Sequence, residues 1–275
     1  MLDENQQIDP QLLTEARLPM EASRFSNSAL ARYLGILFYR GTGRADSARV
    51  DYEELLRAYE LAPDVYANRI PSSVHEELSV PAGMGRLNAI AFTGLSPVKV
   101  EENIVIPLPL PAPNNFARLP FPRMQNRAQS VQRAEAVLNT GERFALELIE
   151  DMGAVARETF KSKHGLTVLK TTARVIMKNA AGAGAAAAVA KNSDESLGYL
   201  MGLAMKAFTE ASEQADTRLS RYFPNHALVG GINLAPGNYE LTINFYGPGG
   251  LVFSESREIS VRERALNLEE FVHLR

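Results

Sequence analysis

The sequence predicts an α+β protein: an N-terminal helical hairpin appended to a mainly antiparallel β-sheet or sandwich domain that carries about three packed helices. Three observations carry this expectation. Apolar residues recur at helical spacing between Ser28 and Pro63. They recur with period two from Gly85 to Leu108 and again from Ala227 to Val261. Between these β regions, from about residue 149 to 216, the helical period returns. The expected units are a helical one at 1–75 and an α+β one at 76–275, whose first and last strands share one sheet system.

The stretch to Asn27 is polar, with Leu12, Leu13, Ala16 and Met20 at helical spacing and Pro19 as a breaker. Helix A runs from Ser28 to Arg40 on Ala31, Leu34, Ile36, Leu37 and Phe38, and Gly41-Thr42-Gly43 ends it. Helix B starts near Asp46, carries Ala48, Tyr52, Leu55, Leu56 and Tyr59 along one side, and closes at Pro63. The pair resembles a tetratricopeptide repeat. Leu34-Gly35 with Phe38, Ala48 with Tyr52, and Ala58 with Pro63 stand where that pattern has its small, aromatic and closing residues. Helix B holds about one extra turn, and no second copy follows. A solenoid needs about three stacked units, so this hairpin must pack on the rest of the chain.

Gly85–Thr93 and Val98–Leu108 read as strands split by Gly94-Leu95-Ser96-Pro97. The proline-rich stretch Pro107–Pro122 is excluded from a central strand or a helix and reads as an extended crossing segment. Ser130–Leu138, the turn Asn139-Thr140-Gly141 and a return strand from Glu142 to Leu146 form a hairpin. Helices are expected from Ile149 to Phe160, Leu166 to Ala181 and Leu197 to Asp216. Ala227–Leu234, Tyr239–Tyr246 and Leu251–Val261 then read as strands, and Leu266–Leu274 as a short strand or helix.

Composition excludes several functions. The chain of 275 residues has 45% hydrophobic residues and a net charge of −3, without the basic excess of a nucleic-acid binder. It has no cysteine, so disulfides, thiolate metal sites and cysteine nucleophiles are excluded. No apolar run reaches the roughly 18–20 residues of a membrane span. The opening Met1-Leu2-Asp3-Glu4 is acidic and polar, unlike a signal peptide.

Four motifs, with the element order, carry a wider resemblance. They are Ser96-Pro97-Val98-Lys99-Val100-Glu101-Glu102, Glu150-Asp151-Met152-Gly153-Ala154-Val155-Ala156-Arg157, Glu213-Gln214-Ala215-Asp216-Thr217-Arg218, and Pro236-Gly237-Asn238-Tyr239-Glu240-Leu241. From Ser28 to Val261 the chain resembles an uncharacterised family of bacterial lipid-anchored envelope proteins. The resemblance implies a periplasmic, outer-membrane-associated lipoprotein without an assigned activity, accessory to other envelope proteins. The sequence departs from the family in lacking a signal peptide and lipid-bearing cysteine, so membrane attachment is expected only through an N-terminal anchor not present in it.

No catalytic motif emerges. Gly41-Thr42-Gly43 follows a helix, whereas a phosphate loop follows a strand. The Gly182, Gly184, Ala187 string also lacks the strand context of a dinucleotide site. His75, His164, His226 and His273 show no metal-ligand spacing and read as surface or loop residues. The adjacent acids Glu76-Glu77, Glu101-Glu102 and Asp194-Glu195 read as solvated. Lys163, Lys170, Arg174 and Lys178 form a basic helix face. Neither metal, cofactor nor catalytic residue is expected. Glu213, Asp216 and Arg218 form either a buried ion-pair and capping network or a binding group. An exposed aromatic set, Tyr33, Tyr39, Tyr59 and Tyr66, is the expected surface for a protein partner in the envelope. The function expected is thus a non-catalytic envelope scaffold. The alternative is a domain binding a ligand or wall fragment in a pocket between helices and sheet, near Asp216 and Arg218.

Overall fold

The computed structural model describes residues 27–107, 116–161 and 222–275, and side chains outside 101–121. The chain divides into two compact units. Most of the described residues belong to the one made of Ser23–Val98, Gln125–Thr159 and Leu219–Arg275. In the other, the described elements include a two-stranded sheet of β2 (Val98–Pro107) and β3 (Phe116–Gln125). Pro120 and Pro122 therefore lie within a strand, where the sequence suggests a crossing segment. Proline has no N–H to give a ladder and is tolerated at the edge positions that a two-stranded sheet offers.

The larger unit begins with a helical hairpin, α1 (Ala29–Gly41) and α2 (Ala45–Leu61), followed by the single turn α3 (Ser72–Glu76). Ser28 caps α1, its Oγ accepting the Ala31 N–H at 3.1 Å. Gly43, at φ 74°, makes the left-handed turn between the helices. The strands are β1 (Gly85–Leu95), β4 (Arg133–Leu138), β5 (Arg143–Asp151), β6 (Pro224–Leu234), β7 (Gly237–Gly247), β8 (Gly250–Val261) and β9 (Asn267–His273). They form one sheet in the order β8-β7-β4-β5-β6-β1-β9. Every neighbour is antiparallel except β9, which runs parallel to β1.

This sheet curls until its edges approach. Arg257 on β8 reaches Glu269 on β9 at 3.9 Å and lies over the Phe271 ring at 4.4 Å. Phe253 stacks on His273, centroids 4.9 Å apart. The body is thus a nearly closed barrel of one sheet, not a sandwich of two. Leu87, Ala89, Leu241, Ile243, Phe245 and Phe271 fill its interior.

The opposite face of β1, β5 and β6 carries the hairpin. Ile90, Ile149, Ala227 and Val229 pack with Tyr33, Ile36, Leu37 and Leu55 in a second core. β1 is consequently buried on both faces, as its burial pattern shows. The expected boundary near residue 75 gives way: the hairpin and the sheet share one core and one compact unit.

β5 runs to Asp151, beyond the expected end at Leu146, and residues 152–161 are helical. The cause is a bulge. The β5–β6 register shifts between Leu148 and Glu150. Ile149 enters the helix-facing core and Glu150 reaches the start of α1, so two consecutive side chains serve one face. A regular strand would send them to opposite faces. The expected helices beyond residue 161, to Asp216, lie outside the described residues.

Candidate functional site

Two polar clusters hold the hairpin on the barrel, and a third sits at the barrel mouth. The first lies at the C-terminal end of α1. The Glu77 carboxylate is fully buried. It accepts from Arg86 Nε (3.0 Å), Asn88 Nδ2 (2.7 Å), the Tyr33 hydroxyl (3.2 Å) and Arg40 Nη1. Arg86 also donates to Glu76, to Asn233 and to the Ser73 carbonyl. Arg40 donates to Asn88 Oδ1 at 2.7 Å. Burial, with Arg86 beside it, lowers the Arg40 pKa to about 10. Burial pushes the Tyr33 phenol up. The expectation of solvated acids at Glu76-Glu77 is corrected for Glu77. Glu77 follows α3 and Arg86 lies on β1, and burial is tolerated because the carboxylate meets two guanidinium groups.

A second cluster lies at the N-terminal end of α1. Glu150 Oε2 accepts from Ser28 Oγ (2.7 Å), the Leu30 N–H (3.1 Å) and the Tyr66 hydroxyl (3.1 Å). A carboxylate here complements the free N–H groups and the helix dipole. Tyr59 donates to the Ile149 carbonyl at 3.0 Å and stacks on Tyr66 at 4.6 Å. Burial raises both phenols, that of Tyr59 to about 12.

These clusters correct the expected exposed aromatic set. Tyr33 and Tyr66 are buried, and Tyr59 and Tyr39 are half-buried against the same core. Their rings pack against the core between hairpin and sheet, and the hydroxyls of Tyr33, Tyr59 and Tyr66 donate to Glu77, the Ile149 carbonyl and Glu150, the kind of partner a buried tyrosine requires.

The third cluster is assembled by strand register. Asp151 on β5 pairs with His226 on β6, His226 with Thr93 on β1, and Thr93 with His273 on β9. Directly opposed residues share a face. Thr93 follows Leu87, Ala89 and Ala91 at period two, so this row lines the interior face at one end of the barrel. Asp151 Oδ1 accepts the Ala154 N–H at 2.9 Å. Asp151 Oδ2 lies 3.4 Å from Arg157 Nη2 and 4.0 Å from His226 Nε2. Asn225 Nδ2 is 2.8 Å from His226 Nε2. Burial lowers the His226 pKa, opposed by Asp151 and assisted by Arg157. His273, between Phe245 and Phe253, is lowered by burial and by Arg275. Both histidines are half-buried strand residues, where the sequence reads them as surface or loop residues. His75 is exposed on α3, bonded to Tyr52 at 2.9 Å.

Chemically, the row offers a neutral imidazole beside a carboxylate. Asp151 faces the same nitrogen that Asn225 occupies, whereas an orienting carboxylate in a hydrolytic triad holds the opposite nitrogen. Among the described residues no group of three or more His, Cys, Asp or Glu is placed to hold a metal ion. Period-two alternation marks these strands in the sequence, but nothing local says that residues 93, 151, 226 and 273 meet.

Glu213, Asp216 and Arg218 lie outside the described residues, as do Lys163, Lys170, Arg174, Lys178, His164, Asp194-Glu195 and the Gly182–Ala187 string. Gly41 packs on the backbone of Leu266; a Cβ there would lie 2.9 Å from its nitrogen. That contact and the turn geometry at Gly43 give this glycine pair structural roles. No protein-family model, curated protein sequence or solved structure matches the chain, so the functional reading rests on its own residues and geometry.

Proposed function

We propose that this protein is a non-catalytic accessory protein of the bacterial cell envelope that holds a protein partner on its helical hairpin. The observation that carries the binding role is the outward face of α1. Leu34 and Phe38, one helical turn apart, are 39% and 52% exposed. Val50 and Leu61 of α2 are exposed as well. The opposite face of the hairpin is fixed to the sheet through both ends of α1, so the apolar pair is presented on a rigid support. In this reading α1 and α2 work as a tetratricopeptide-like unit, offering a helix face rather than a reactive group. The envelope setting rests on the four sequence motifs. No helix among the described residues is long and apolar enough to cross a membrane.

A non-catalytic role is favoured by the use of the polar groups. The carboxylates of Glu77 and Glu150 are hydrogen-bonded inside the fold. The seam between hairpin and sheet is filled by side chains, so the ligand-binding alternative draws no support from it. That alternative keeps its place at Asp216 and Arg218, outside the described residues.

The test is site-specific photo-crosslinking in cells that make the protein. A photoreactive residue at Phe38 is expected to give a discrete adduct with one protein, and the same residue at exposed Glu258 is expected to give none. Leu34→Asp should abolish the adduct without changing the circular dichroism spectrum. A folded protein that yields no adduct from Phe38, or the same adduct from Glu258, overturns the reading.

A further inference from the structure

We propose that Asp151, Arg157 and His226 form a proton-operated latch at the start of the helical segment 152–161. The proposal is independent of the partner reading above. It rests on one carboxylate oxygen, Asp151 Oδ2, that faces two basic side chains from different elements. Asp151 Oδ1 is taken by the Ala154 N–H and caps the helical segment. Asp151 Oδ2 faces two groups, Arg157 from the helical segment at 3.4 Å and His226 from β6 at 4.0 Å.

With the imidazole neutral, His226 Nε2 accepts from Asn225 Nδ2 at 2.8 Å. It then offers Asp151 no proton, and Arg157 holds Oδ2. Uptake of one proton from solvent places an N–H on Nε2. The Asn225 amide then meets a donor rather than an acceptor, and Asp151 Oδ2 becomes the acceptor within reach. Arg157 is left beside an imidazolium of like charge, with Asn126 Oδ1, at 3.1 Å, as its other acceptor. One proton thus moves the Asp151 partner from the helical segment to the strand.

Among the described residues, the groups facing His226 are Asp151 from β5, Arg157 from the helical segment, Asn225 beside it on β6, and the neutral Thr93 across on β1. The charged pair thus comes from outside β6. Because burial holds the imidazole neutral, the latch turns on the acid side of the ordinary histidine value of about 6.5.

The experiment is an NMR titration of the full chain, uniformly labelled with nitrogen-15, following the His226 ring, the Ala154 amide and the Arg157 side-chain Nε–H. His226→Gln identifies the ring signal by its loss. The Ala154 and Arg157 signals are expected to move with the midpoint of His226 and to stay flat in His226→Gln. Asp151→Asn should lower the His226 midpoint and Arg157→Gln should raise it. Should Asp151→Asn fail to fold, the upward shift in Arg157→Gln decides the matter alone. Ala154 and Arg157 signals indifferent to the His226 titration, or an unchanged midpoint in Arg157→Gln, overturn the latch.

Discussion

Replacing Glu77 by alanine removes the acceptor on which the lower end of the hairpin depends. Four donors lose their partner: Arg86 Nε, Asn88 Nδ2, the Tyr33 hydroxyl and Arg40 Nη1. The Arg86 side chain is fully buried and has no route to water, while that of Arg40 is 15% exposed. Breaking a buried ion pair by deleting one partner costs about 3–5 kcal/mol. Arg86 keeps Glu76, Asn233 and the Ser73 carbonyl, which partly compensate its charge. The expected loss is therefore at the lower end, about 3 kcal/mol. Urea unfolding followed by circular dichroism and tyrosine fluorescence measures it, since the chain has no tryptophan to obscure the tyrosines. The double variant Glu77→Met, Arg86→Met removes the charge and its deepest partner together, and should be more stable than Glu77→Ala alone. A loss below about 1 kcal/mol for Glu77→Ala, or a double variant no better than the single one, would refute the view that this carboxylate neutralises a buried guanidinium.

At the other end of α1, Glu150→Ala removes the acceptor of the Leu30 N–H and the Ser28 hydroxyl, while the Tyr66 hydroxyl keeps the Asn27 carbonyl at 3.2 Å; a loss of about 1–2 kcal/mol is expected in urea unfolding, with the faster amide exchange confined to the first turn of α1. Gly230→Ala sets a Cβ 2.4 Å from the Ala145 carbonyl oxygen on the neighbouring strand, a backbone contact that cannot swing aside, and should cost about 1–3 kcal/mol by the same measurement. Acid should weaken the fold through His226 and His273. Both have folded pKa values below the usual value of about 6.5, so the unfolded chain takes up protons first and their contribution, present above that pH, is lost as the pH falls through the folded values. Urea midpoints at pH 7.5 and 5.5 check this, and the gap should narrow in His226→Gln and in His273→Gln.

The β strands were legible where one face of the sheet differs from the other. Tyr239, Leu241, Ile243 and Phe245 alternate because β7 has an interior face and an outer one. The start of the helix after β5 differs from the sequence expectation for a physical reason. The bulge sends Ile149 and Glu150 to one face, and a broken alternation looks like the onset of a helix. Pro120 and Pro122 argue against a strand in the sequence, which does not reveal that β3 belongs to a two-stranded sheet. The burial of the tyrosines is hidden in the sequence for a related reason. A tyrosine on an amphipathic helix suits a surface as well as a core, and only the buried acceptors Glu77 and Glu150 decide for the core. Those acceptors come from a loop and a strand far along the chain. The barrel-mouth row is less legible still, because it is a product of register between β5, β6, β1 and β9.

The same contacts bear on the binding role proposed for the hairpin. A helix pair joined to its body by a linker can reorient on binding and loses that freedom when it does. Here α1 is anchored to the barrel body at both ends, by Glu150 at its start and by Glu77, Asn88 and Arg86 at its finish. Its inner side chains belong to the core that includes Ile90 and Val229. The orientation of Leu34 and Phe38 is therefore set before any partner arrives, and little ordering remains for binding to supply. That separates two kinds of variant. Changes at Leu34 or Phe38 should weaken partner binding and leave unfolding almost unaltered, because these side chains face outward. Changes at Glu77 or Glu150 should lower stability first and weaken binding only as far as α1 shifts or frays. A Glu150→Ala protein that unfolds earlier yet cross-links from Phe38 as efficiently as wild type below its transition would show that one anchored end is enough to hold the face in place.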